Sequence, residues 1–158
     1  MTHRVIWEDI DGSIKQTIPS PQWLRDHPNA DLATDLPGVS PNATKRAVVA
    51  DTDAPSDRTF RGAWKWEEGK PHKCGVDLDK AKHIAADRVR GARAKAFERV
   101  DTAFMIALEK NDVPAKNAAA AKKEFLRAAT DDTRIVNAAD VDALKAGMTA
   151  VIADVESA

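Results

Sequence analysis

The sequence predicts an α+β chain, a small antiparallel β module followed by a helical module, and three observations carry that prediction. Alternating β-branched and aromatic residues flank an Asp-Gly pair near the start. Short extended runs separated by proline-rich turns occupy the chain as far as residue 75. From Val76 onward, apolar residues recur at helical spacing with very little glycine or proline. The expected division is a β-rich module over 1–75 and a helical hairpin or three-helix module over 76–158.

In the first module, "HRVIWEDI" and "SIKQTIP" form a hairpin about Asp11-Gly12, a dipeptide that accepts positive φ. Val5 and Trp7 alternate with Arg4, Ile6 and Glu8, and Ile14 and Ile18 keep that period on the return strand. Ser20-Pro21 reads as an N-cap with proline at the first helical position, opening a short helix through Trp23 that ends before Pro28. "NADLATDLPGVSPN" is a loop with one more helical turn. "KRAVVAD", residues 45–51, is a third strand, and Ala63–Trp66 pairs back across "EEGKPHKCG" as a fourth.

The helical module opens near Asp77 or Asp79 with one long helix that closes at Asn111 or Asp112. Its stripe of Ile84, Val89, Ala92, Ala96, Val100, Phe104 and Ala107, widened by Phe97 and Leu108, is narrow for a globular core helix. Asp112 and Pro114 start a second helix, antiparallel to the first because the connection is short. Asn137 caps a third, whose apolar side is Val141, Leu144, Met148, Val151 and Ile152. With four Phe, four Trp, three Met and no Tyr in 158 residues, large core-filling side chains are scarce. An alanine-rich module of this kind packs thinly or buries its faces against a partner or a further copy.

The net charge of −1 gives no global attraction to nucleic acid or to an anionic membrane, and no apolar run reaches membrane-spanning length. The single cysteine, Cys74, excludes an internal disulfide and a multi-cysteine zinc site. "MTHRVIWEDIDG" lacks a signal-peptide pattern, so the expectation is a soluble protein made in the cytoplasm. His72 and Cys74 lie two apart beside a turn without further ligands, and Asp79, His83 and Asp87 share a helix face as solvated ion pairs. Cys74 has the cationic neighbours Lys70, His72 and Lys73 but no oxyanion-hole signature. No phosphate loop, nucleophile elbow or zinc-protease motif occurs. The expectation is a protein that is not an enzyme and needs no metal or cofactor.

Two surfaces stand out. Lys80, Lys82, Arg88, Arg90, Arg93, Lys95 and Arg99 wrap around the long helix. Acidic residues interrupt them and no aromatics interleave, so they read as a solvated or protein-pairing face, not a nucleic-acid track. In "DTDAPSDRTFRGAWKWEEGKPH", Phe60, Trp64 and Trp66 fall on one side of an extended chain. They are core material for the β module alongside Trp7 and Trp23, and any left exposed would join Arg58 and Arg61 as partner anchors. The candidate partner-binding set is Arg58, Phe60, Arg61, Trp64 and Trp66, together with Phe97 and Phe104 of the long helix.

The box formed by Asp57, Arg58, Thr59, Phe60, Arg61, Ala63 and Trp64 resembles a pattern in small tailed-phage and prophage proteins of the tail-fibre or tail-fibre-assembly type. A second element on Asp101, Phe104, Met105, Ala107, Leu108, Glu109 and Asp112, a third in "KKEFLRAAT" and a last helix in "AADVDALKAGM" extend the resemblance over residues 50–148. The chain departs from the pattern in a proline-rich insert before the box, and in "TAVIADVESA", which lengthens the last helix. The resemblance implies a non-enzymatic virion component of a tail fibre, tail tip or baseplate. Its partners would be other tail or fibre proteins, reached through coiled-coil-like helix contacts, with self-association as a homo-oligomer. The alternative is a tail-fibre assembly chaperone absent from the mature virion. The family implies no catalytic residues.

Overall fold

The computed structural model describes residues 3–158. It has the expected α+β order, with two small antiparallel sheets before a helical region. The chain divides into two compact units, residues 1–77 and 78–158.

In the first unit, β1 (His3–Glu8) lies between β2 (Ile14–Thr17) and β3 (Lys45–Ala50), antiparallel to both. The adjacent Val5, Ile6 and Trp7 are all buried, which a strand covered on both faces requires. Ile6 packs with Ile14, Val49, Trp64 and Cys74 on one face. Val5 and Trp7 pack with Leu36 on the other, helped by the half-buried Trp23 and Leu32. Those last residues belong to α1 (Pro21–Asp26) and α2 (Leu32–Asp35), held by side-chain caps from Ser20 and Asp31. The second sheet, β4 (Trp64–Trp66) against β5 (Cys74–Val76), brings Trp64 and Cys74 into the first cluster.

Ile6, on the face opposite Val5 and Trp7, is buried as they are, because the sheet has two cores. Two expectations for this unit need correction. The hairpin turn spans residues 9–13: the Asp9 N–H donates to Ser13 O and the Gly12 N–H to Asp9 O, both at 2.9 Å. Gly12 does take the positive φ, +77°, but inside this longer loop. Ile18 lies past the end of β2 and is exposed, so it does not continue the period of Ile14.

In the second unit, α3 (Leu78–Glu109) is a single 32-residue helix. Asn111, at φ 52°, turns the chain into α4 (Val113–Ala128), and the Asp112 carboxylate accepts from the Ala115 N–H at 2.9 Å as its N-cap. A short α5 (Thr133–Val136) leads to α6 (Val141–Ser157). Both α4 and α6 pack along α3. Arg88 meets Met148, and Arg99 meets Glu156, so α6 runs in the direction of α3 while α4 runs against it.

The cap of the last helix is Asp140, not Asn137; Asn137 instead closes α5. Asp140 accepts from the Ala143 N–H at 2.8 Å. The core is built from Val89, Val100, Leu126, Ile135, Leu144, Val151 and Val155, spaced by the buried alanines 81, 85, 96, 107, 119, 129 and 138. Small residues at these contacts let the helix axes approach closely.

Candidate functional site

The box that begins at Asp57 is a chain of tight turns. The Asp57 carboxylate accepts from the Thr59 N–H at 2.8 Å, and the Arg61 N–H donates to Arg58 O at 3.2 Å. Ala63 then donates to Phe60 O, and Asp77 to Ala63 O, each at 2.8 Å. These bonds fix the entry to β4. Phe60 and Trp64 are 3% and 5% exposed, so both side chains belong to the interior. Trp66 is half-buried: its indole N–H donates to Glu68 Oε1 at 2.7 Å and Lys45 sits 5.7 Å from the ring. Arg58 and Arg61 are exposed, Arg61 lying 6.0 Å from the Trp64 ring centroid. Of the predicted partner-binding residues in this stretch, a partner can therefore touch the guanidinium groups of Arg58 and Arg61 and the rim of Trp66.

Beside the box lies a cavity of about 220 Å³ that brings Asp57, Lys70, His72 and Cys74 to one place. The Cys74 N–H donates to His72 Nδ1 at 3.2 Å, which leaves that imidazole nitrogen as an acceptor. Cys74 is buried, and burial pushes its thiol up to about 11, against a weaker pull downward from Lys70. At neutral pH only about one thiol in ten thousand is then ionised, the opposite of an activated nucleophile. Among the described residues no group of three or more His, Cys, Asp or Glu is placed to hold a metal ion.

Several cations of α3 are occupied within their own unit, three of them at helix ends. Lys82 donates to Val136 O at the end of α5, and Arg93 to Arg127 O and Leu126 O at the end of α4. Arg99 donates to Glu156 O in the last turn of α6. Each cation thus satisfies carbonyls that a helix end leaves without intrahelical partners, and Arg93 and Arg99 also meet the negative pole of a helix dipole. Arg90 pairs with Asp87. A helix that read as a charged surface is in large part a set of clamps.

The α3–α4 turn presents the opposite character. Met105, Leu108 and Val113 are 52%, 47% and 55% exposed, and Ile106 is exposed beside them. Met105 and Leu108 stand three residues apart on one helix face, outside the phase of the buried stripe at Val89, Ala96, Val100 and Ala107. Phe97 and Phe104 are half-buried along the edge of that stripe. Lys123 of α4 covers Phe104, with its ammonium 4.1 Å from the ring and 2.7 Å from Asp101. Leu108, expected to widen the buried stripe, is instead exposed, because it stands one residue off the phase of Ala107 and shares the outer face with Met105. Comparison with protein-family models, curated proteins and solved structures yields no match.

Proposed function

We propose that the chain is a non-enzymatic structural component of a phage tail, in a fibre, tail tip or baseplate, that joins other tail proteins through the end of its α3–α4 hairpin. The observation that carries this reading is the cluster of exposed large apolar side chains at that turn, Met105, Ile106, Leu108 and Val113. Concentrated apolar exposure with a polar rim marks surfaces that associate with protein. Lys110, Asn111 and Asp112 supply that rim. The tail context comes from the resemblance of the box and of the Asp101–Asp112 element, and Met105 and Leu108 belong to that element. The chain would be made in the host cytoplasm and end in the virion tail.

The test is incorporation of a Met105→Glu, Leu108→Glu double variant into tail particles, with circular dichroism as a fold control. Both residues already face solvent, so the fold should persist. A contact centred on two such anchors loses about tenfold in affinity for each ~1.4 kcal/mol removed. Wild-type incorporation alongside loss in the variant is expected. Equal incorporation of both would contradict this surface as the joint.

A further inference from the structure

The first sheet ends in β2 on one side and in β3 on the other, and β3 has an open edge. The Asp9 N–H donates to Ser13 O across the hairpin, so odd-numbered residues of β1 bond to β2 and Arg4, Ile6 and Glu8 turn to β3. Glu8 agrees, its carbonyl accepting from the Thr44 N–H at 2.9 Å. Ile6 lies opposite Ala47 and Arg4 opposite Val49, so the odd residues of β3 are the ones bonded to β1. Arg46, Val48 and Ala50 therefore send their N–H and C=O groups outward. Among the described residues no strand pairs with that edge. Val48, at its centre, is 44% exposed, and from Ala47 to Ala50 neither proline nor charge guards it.

We propose that a second copy of this chain occupies the edge, β3 against β3, antiparallel about a two-fold axis, to give one continuous six-stranded sheet. The order of charges selects this occupant. Lys45 and Arg46 open the strand, and Asp51 and Asp53 follow it. Internal partners reduce but do not cancel these charges: Glu8 lies 3.1 Å from Lys45, and Arg4 lies 2.7 Å from Asp51. One end keeps a positive excess and the other a negative excess.

Antiparallel self-pairing sets basic end against acidic end twice, whereas parallel pairing would set like against like. The register follows from the outward groups: Val48 faces its own copy, Arg46 faces Ala50, and Lys45 faces Asp51. The pairing is isologous and closes after two chains. It concerns the sheet alone and stands whether or not the chain serves a tail.

Light scattering on the full chain across a range of concentrations tests this, with hydrogen exchange read at Val48. The expected result is a species of twice the chain mass, whose Val48 amide gains protection as concentration rises. Val48→Pro removes an outward N–H that β1 does not use, at an edge position where proline is tolerated, and should weaken the dimer at least tenfold. The Met105→Glu, Leu108→Glu variant should leave the dimer intact. A monomer at every concentration overturns the proposal. So does a dimer whose Val48 amide stays unprotected, or one that only the hairpin variant disrupts.

Discussion

At the scale of single residues, burial decides what the chemistry-bearing side chains can do. Cys74 sits under Trp64 and Ile6 in the first core, and its thiol keeps its proton up to about pH 11 instead of the ordinary 9.0. The folded chain holds that proton more tightly than the unfolded chain. The resulting stability is complete below about pH 9 and is lost as pH rises toward 11. The loss is on the order of 3 kcal/mol for a shift of about two pH units. Urea midpoints measured from about pH 8 to about pH 10.5 should therefore fall faster in the wild type than in Cys74→Ala. Cys74→Ala keeps every lysine of the wild type, so the comparison subtracts their alkaline background. Parallel slopes would remove burial of this thiol as the cause.

Two glycines make a second residue-scale contrast. A Cβ on Gly147 would stand 2.3 Å from the backbone oxygen of Arg134, so α6 can cross α5 only with glycine there. Gly91, within α3, has nothing within 4 Å of where a Cβ would lie. Gly147→Ala should destabilise by about 1–3 kcal/mol through forced displacement of backbone. Gly91→Ala should stabilise by about 1 kcal/mol through helix propensity. Thermal unfolding of the two variants distinguishes them by sign.

At the scale of elements, the sequence was legible wherever a local rule had no competitor. Ser20-Pro21 and Asp112-Val113-Pro114 each offered one cap with one proline behind it, and both caps form. "DDTRIVNAAD" offered several caps within ten residues. Asp132 and Asp140 won because α5 must turn before Gly147 can meet the Arg134 carbonyl, a tertiary condition that no local pattern carries. The adjacent Val5, Ile6 and Trp7 held the information that β1 is covered on both faces, whereas alternation alone says only that Ile6 lies opposite Val5 and Trp7. The clamps made by Lys82, Arg93 and Arg99 were illegible for a related reason. A cation's carbonyl partners lie 33 or more residues away, and spacing along one helix cannot reveal them.

At the scale of the whole molecule, the candidate site divides into what the fold consumes and what it leaves outside. Phe60 and Trp64 are consumed by the interior, and Lys82, Arg93 and Arg99 by helix ends. Met105, Leu108 and Val113 at one hairpin, and the outer edge of β3, are left. A chain with one apolar end and one self-complementary edge is suited to joining neighbours, which is the role proposed for it in a tail. The most direct measurement is quantitative mass spectrometry of density-purified particles made by the genome that encodes this chain, with expression confirmed in the lysate. The account predicts the chain in those particles at a fixed ratio to a tail protein. Its clean absence, despite abundant expression, would contradict a structural role and favour an assembly chaperone.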